Sequence, residues 1–168
     1  MIQDIVLTRE ECEGIIDLCS SESFVRSKVS LTEDDSQITD YRTSYEYTFK
    51  NHRLLNEFLL SKLSKFGINS MPEIIKVIRY EEGQEFKYHI DNGGDYDYRI
   101  KSISIQLSDE YEGGEMVVWG YDGDILVDKT IGNMILFNSE LPHQIFPITS
   151  GVRYVLVMWL SEENIVSI

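Results

Sequence analysis

The sequence predicts an α+β chain that is mainly β: a double-sheet jelly roll with supporting helices at its N-terminal end. Two observations predict it. Helix-type apolar spacing is confined to the first 67 residues, and from Ile74 onward short β-rich runs follow one another between Gly, Asn and Asp clusters. Helices that precede six or more strands are most simply packed on one face of a double sheet.

In chain order, Thr8 followed by Glu11 forms a capping box, and Ile15, Ile16, Leu18 and Cys19 then recur at helical spacing. Asn51 is placed to cap a second helix, whose stripe of Leu54, Leu55, Phe58, Leu59 and Leu63 ends at Gly67. Strands are expected over Ile74 to Tyr80, Ile100 to Leu107, Met116 to Tyr121, Ile125 to Val127, Met134 to Phe137 and Tyr154 to Leu160. The Asn92 to Asp97, Gly113-Gly114 and Asp122-Gly123-Asp124 clusters supply turns between them. One strand is more informative than the rest. Ile103, Ile105 and Leu107 alternate with Ser102, Ser104 and Gln106, and a period of two sends the sets to opposite faces. The apolar row needs the cover of the helices, so the polar row is expected to face a pocket.

A chain of 168 residues fits one domain (1–168), with helical support mainly in 1–67 and a β core over about 74–160. Its 42% hydrophobic content is ordinary, and no run approaches the ~20 apolar residues of a membrane span. The opening MIQDIVLTREE carries acids where a leader carries bases, so neither a signal peptide nor a membrane partner is expected. Cys12 and Cys19 are seven residues apart on a helix, a rise of about 10.5 Å, too far for one disulfide. Reduced thiols of this kind point to a cytoplasmic location. With 29 acids against 15 bases the net charge is −14, which argues against nucleic acid as a partner, since binding it rests on neutralising phosphates.

The chain has three histidines. His52 lies at the start of the Leu-rich helix and reads as surface or cap. His89-Ile90-Asp91 differs: on an extended segment, residues i and i+2 project to one side, so imidazole and carboxylate can converge on one ion. One further histidine, His143, completes two His and one carboxylate, the facial set of non-haem iron(II). Ten residues later Arg153 opens the run Arg-Tyr-Val-Leu-Val-Met-Trp, whose alternation puts Arg153, Val155, Val157 and Trp159 on one face. A single cation among apolar walls needs a carboxylate, which the guanidinium fork can take bidentately.

From Ile74 to Leu160, about half the chain, the sequence resembles the prolyl 4-hydroxylase-like branch of the 2-oxoglutarate/Fe(II) oxygenases. The resemblance rests on Tyr80-Glu-Glu-Gly83-Gln-Glu-Phe86-Lys-Tyr-His89-Ile-Asp91, on Arg99 to Leu107, and on Tyr111-Glu-Gly113-Gly114-Glu115-Met116. Gly132-Asn-Met-Ile-Leu-Phe137, His143, Gly151-Val-Arg153 and Trp159 complete it. It implies a double-stranded β-helix of cupin-like, jelly-roll type. It implies iron ligation by His89, Asp91 and His143, and a salt link from Arg153 to the distal carboxylate of 2-oxoglutarate, with Tyr80 donating a hydrogen bond to the same ligand. Two positions depart from the family pattern. Gln106 stands where a carboxylate-contacting tyrosine is often found, and Arg153 stands where many relatives use Lys; both keep donors. Lys101 and Arg99 are the next candidates to anchor the oxo-acid.

The implied reaction is decarboxylation of 2-oxoglutarate to succinate and CO2 with hydroxylation of a C–H bond, using O2, with ascorbate as a further reactant. Retention of Asp91 points to hydroxylation over halogenation. Trp159 replaces the second arginine of the nucleic-acid demethylating branch. A peptidyl proline is the expected substrate. A free amino acid or other small metabolite is the alternative, and a non-catalytic metal-binding cupin-like module a further one. Asn92 to Tyr98 is a lid candidate, with Tyr96, Tyr98 and Trp119 as flat surfaces for a proline ring.

Overall fold

The computed structural model describes residues 1–29 and 37–166. In chain order the strands begin with β1 Ile2–Ile5, β2 Val25–Arg26, β3 Tyr45–Lys50, β4 Ile74–Tyr80, β5 Phe86–His89, β6 Lys101–Gln106 and β7 Tyr111–Gly113. They continue with β8 Met116–Val118, β9 Ile125–Leu126, β10 Asn133–Asn138, β11 His143–Ile145, β12 Ile148–Gly151 and β13 Arg153–Leu160. Helices α1 Arg9–Asp17 and α2 Arg53–Leu63 lie between the early strands. A seven-stranded major sheet has the order β1-β10-β6-β13-β4-β3-β2, a four-stranded minor sheet the order β5-β11-β8-β9, and β12 pairs with β7. The pairings are antiparallel, and the fold is the mainly β jelly roll that the alternating runs predict.

Each face of the major sheet has its own core. Ile103 and Ile105 of β6, Met134 and Leu136 of β10 and Leu156 and Met158 of β13 pack with Cys12 and Ile15 of α1 and Leu55, Leu59 and Leu63 of α2. The i, i+4, i+8 spacing of those leucines makes one helical stripe. Residues one step out of phase, Ile78, Ile135, Phe137 and Val155, turn the other way and meet Met116, Val118 and Ile145 of the minor sheet. The candidate site lies in this second layer.

The first helix starts as its capping box predicts, with Thr8 Oγ1 accepting from Glu11 N and Glu11 Oε2 accepting from Thr8 N. Leu18, expected on the apolar stripe, caps the helix and is exposed. The cap of α2 is a correction. Asn51 has φ 48, the left-handed region that Asn tolerates, whereas a cap needs extended backbone. His52 has it, and its Nδ1 accepts from Leu55 N at 3.2 Å. Leu54, placed on the stripe by spacing, points to solvent. The strand expected to reach Tyr121 stops at Val118, because the chain then turns, with Gly123 N donating to Gly120 O at 3.3 Å. Gly132, just before β10, cannot carry a side chain: its φ is 81, and a Cβ would meet Leu7 O at 1.9 Å.

Both cysteines are free. Burial pushes the Cys12 thiol up to about 11 and the Cys19 thiol up to about 12, which keeps both as inert thiols.

Candidate metal centre and its pocket

His89 ends β5, His143 begins β11, and the two residues are direct partners across that strand pair. The ladder thus closes a gap of more than fifty residues and brings the ring centroids to 4.1 Å. Asp91 follows two residues after His89, and Asp91 N donates to Ser139 O at 2.9 Å, which turns the carboxylate back under both rings. His89 Nε2 lies 3.7 Å from Asp91 Oδ1 and His143 Nε2 lies 3.4 Å from Asp91 Oδ2. The potential ligand atoms of the three residues lie within 4.8 Å of one another.

The rings have a defined tautomer. His89 Nδ1 is 2.6 Å from Lys87 O, and His143 Nδ1 is 3.1 Å from Leu141 O. A carbonyl oxygen can only accept, so each Nδ1 carries a proton, and Nε2 is the ring nitrogen that each histidine can offer to the centre of the triangle. Burial pushes His89 down to about 3, a neighbouring charge on His143 adds to the effect, and Asp91 opposes it. The imidazole is therefore neutral over the ordinary pH range. Burial alone would raise the Asp91 carboxyl, but His143, His89, the Ser102 hydroxyl and the Trp159 side chain outweigh it and hold it below the usual carboxylate range. The Ser102 bond to Oδ2 is 2.7 Å, and Ser102 also meets Ser139 at 2.9 Å. Phe86 stacks on His89 with centroids 3.4 Å apart, and Phe137 meets His143 edge-on at 4.9 Å. Two imidazole nitrogen donors beside one carboxylate oxygen donor suit a divalent transition metal that keeps open positions.

The adjoining pocket is walled by both sheets. Tyr80 and Arg153 are partners across β4 and β13, and both line it, as do Ser102, Ser104, Val155, Val157 and Trp159. The face predicted from the alternation of β13 is the face observed. Arg153 is 3% exposed, and its Nε and Nη1 have no hydrogen-bond partner among the described residues. An unsatisfied buried guanidinium is costly, and a dicarboxylate ligand would relieve that cost. The Tyr111 hydroxyl reaches Arg153 and accepts from Gln106 Nε2 at 2.5 Å. Gln106 shares the inner face with Ser102 and Ser104, but neither it nor Tyr111 lines the pocket, and it acts there only through Tyr111 and then Arg153.

Sequence reasoning did not single out Arg42, Ser102 as the partner of Asp91, or Tyr111 as the partner of Arg153. Arg42 is 7% exposed and stands in the pocket wall with its Cζ 4.7 Å over the Phe86 ring. Its neighbourhood in the sequence, Ile38 to Ser44, has no periodicity that marks an inward residue. For Tyr111 the signal was available: a tyrosine missing at position 106 can be supplied from the next strand. Lys101 binds Asn138 Oδ1 at 2.5 Å, away from the pocket. Arg99 donates to Asp91 O at 3.2 Å and lies over the Tyr96 and Trp159 rings, 4.0 and 4.1 Å from their centroids.

Outside the pocket lies a wider groove. Tyr96 and Trp159 line it, whereas Tyr98 is exposed and Trp119 packs on Tyr88 with centroids 5.1 Å apart. The 92–98 segment holds the short 3-10 turn Gly94–Tyr96, and the Arg99 stack ties its far end to β13. No helix among the described residues is long and apolar enough to cross a membrane.

A jelly roll whose inner layer joins two histidines, one aspartate and an unsatisfied buried arginine is the arrangement of an iron-dependent oxygenase that consumes an oxo-acid. The 2OG-Fe(II) oxygenase superfamily model matches residues 75–161, just over half the chain. The chain belongs to that superfamily and is an oxygenase whose reagents are iron(II), 2-oxoglutarate and O2. It is 28% identical to a PKHD-type hydroxylase of Rippkaea orientalis over 92% of this chain and 75% of that protein. Against a PKHD-type hydroxylase of a Shewanella species it is 37% identical over 49% of this chain and 40% of that protein. Among solved structures it shares the fold of a Pseudomonas putida prolyl-4-hydroxylase, with a TM-score of 0.71 and 17% identity, covering 95% of this chain and 91% of that one. A Trichoplax adhaerens prolyl hydroxylase in complex with a hypoxia inducible factor peptide fragment gives a TM-score of 0.72 and 18% identity, covering 90% and 76%.

Proposed function

We propose that the chain hydroxylates a prolyl residue in a peptide, with His89, Asp91 and His143 holding iron(II) and Arg153 holding 2-oxoglutarate. The observation that carries the reading is the pairing, in one pocket, of three convergent donors with a buried guanidinium lacking partners for Nε and Nη1 among the described residues. The names of the relatives supply the substrate class: hydroxylases of PKHD type, and solved prolyl hydroxylases, one of them holding a peptide.

Bound iron, with 2-oxoglutarate and O2, supplies oxidative decarboxylation and the oxidising power for C–H hydroxylation. The chain supplies placement. Arg153 takes the far carboxylate of the oxo-acid through its two unsatisfied nitrogens, and the Tyr80 hydroxyl, buried beside it, donates to the same group. Tyr111, braced by Gln106, fixes the guanidinium. Ser102 and Trp159 keep the Asp91 carboxylate ionised and oriented, and the Lys87 and Leu141 carbonyls keep both imidazoles in the ligating tautomer. Ile78, Met116, Ile145, Val155 and Val157 exclude water from the reacting centre.

The test is mass spectrometry of proline-containing peptides incubated with the protein, iron(II), 2-oxoglutarate and ascorbate. One added oxygen on proline, absent with His143→Ala, is the expected result. Oxidation of free amino acids with no change in any peptide would replace the prolyl reading with the small-metabolite one.

A further inference from the structure

The inner pocket and the outer groove share five lining residues: Arg42, Phe86, His89, Asp91 and Trp159. Four of these are aromatic or belong to the candidate metal centre; Arg42 alone is a free-standing charge at the junction. We propose that Arg42 binds a carboxylate carried by the molecule that is hydroxylated. This deepens the oxygenase reading of the pocket and rests on it.

Three observations support the proposal. Arg42 is buried, yet its polar contacts among the described residues are long: Ser44 Oγ at 3.3 Å, Lys28 O at 3.4 Å and Glu46 Oε2 at 3.5 Å. A guanidinium in a settled ion pair approaches to about 2.7–2.9 Å, so these contacts hold the side chain in place without saturating it. Its acidic neighbour is also shared. Lys76 Nζ sits 2.5 Å from Glu46 Oε1, while Glu46 Oε2 has no hydrogen-bond partner among the described residues. Lys76 is thus the closer counter-ion, and Arg42 is left under-compensated. Finally, among its described residues the groove reverses the sign of the chain. On a protein of net charge −14 the described groove residues carry Arg26, Lys28, Arg42, Lys76 and Arg99 against Glu46 and Asp91, and Asp91 faces the two histidines. A ligand that spans the groove and enters the pocket meets a surplus of positive charge, greatest in consequence where the side chain is buried.

2-Oxoglutarate is itself an anion that reaches the pocket, but Arg153 lies on the pocket side with two unsatisfied donors for its far carboxylate. Arg153 does not line the groove, whereas Arg42 lines both and so also faces the groove, where the hydroxylated molecule must lie. The same carboxylate could belong to an acidic side chain next to the reacting residue of a peptide, or to the α-carboxyl of a free amino acid.

The experiment measures binding, independent of turnover. The full chain is loaded with Mn(II) and 2-oxoglutarate without O2, and titrated calorimetrically with two matched pairs. One pair is a proline peptide flanked by Asp or Glu against its Asn or Gln twin; the other is free proline against prolinamide. A hydrogen-bonded charge pair of this kind separates twins by about tenfold or more. Preference within the peptide pair assigns the carboxylate to a side chain, and preference within the proline pair assigns it to a free amino acid. Arg42→Gln should erase the preference while leaving Mn(II) and 2-oxoglutarate affinity in place. Arg42→Lys, which keeps the charge and loses the fork, should keep a reduced preference, and it serves as the test should Arg42→Gln not fold. Equal binding within both pairs, or no binding of any probe, would overturn the proposal. So would an Arg42 variant that weakens 2-oxoglutarate and spares the preference. Failure of prolyl peptides to be hydroxylated would count against the prolyl reading alone, since a carboxylate preference can persist without it.

Discussion

Two backbone carbonyls decide the protonation of the candidate ligands, and the consequence is testable residue by residue. With Nδ1 of His89 and His143 each committed to a carbonyl, only Nε2 can bind metal. Alanine at His89, Asp91 or His143 is expected to abolish iron(II) binding and turnover while the circular dichroism of the chain stays unchanged. His52 provides the contrast. As the cap of α2 it contributes to stability alone, so His52→Ala should retain full turnover and lose about 0.5–2 kcal/mol in denaturant unfolding. Loss of iron from that variant would show that the ligand set is wrongly drawn. Arg153→Ala removes one member of the charge pair proposed with the oxo-acid, and such a removal commonly costs on the order of 2–5 kcal/mol. The KM for 2-oxoglutarate should rise about thirtyfold or more, with iron affinity unaffected. If that KM is unmoved, Arg99, which already lies against the site, becomes the candidate anchor.

Elements that were legible in the sequence are those whose alternation is unbroken. Strand β4 is observed with the expected ends, β6 is shorter than expected by one residue at each end, and β13 starts one residue earlier. The two faces of β6 and of β13 were assigned correctly because a period of two leaves no freedom once one face is apolar. Strands β1, β2 and β3 escaped notice. Val25–Arg26 is too short to show any period, and the mixed aromatic and charged run Tyr45–Lys50 has one fully buried residue, Phe49. The site divides in the same way. His89 and Asp91 are neighbours in sequence and legible as a pair, whereas the register that sets His143 opposite His89 is a property of the fold. The ion-pair cluster on β3 and β4 was equally hidden, and it governs an acid limit. Burial raises the Glu46 carboxyl, but Lys76 and Arg42 outweigh it and hold it below its ordinary value. A carboxylate depressed in the folded state binds fewer protons there than in the unfolded chain. Its contribution is therefore complete above the unfolded value of about 4.3 and is lost as pH falls through the lower folded value. The denaturation midpoint of the metal-free chain should decline through that acidic window, and Glu46→Gln should flatten the decline. An identical pH profile for the variant would remove Glu46 from the account.

For the whole molecule, the order of the major sheet has a consequence in time. Its middle strand is β13, residues 153–160, flanked by β6 and β4, which come much earlier in the chain. While a ribosome is still making that segment, β4 and β6 have no common neighbour, and the apolar rows meant for the helices stay open. The iron pocket is unfinished as well, since His143 and Arg153 are also late. Such non-local pairing delays folding until β13 has emerged and leaves the nascent protein dependent on protection from aggregation. A chain stopped at residue 150 should therefore bind a hydrophobic dye, succumb quickly to protease and fail to retain iron(II), and a two-part complementation with a peptide spanning 151–166 should reverse all three defects. Folding and metal capture then become one late event, in which β13 both closes the sheet and delivers the arginine of the pocket.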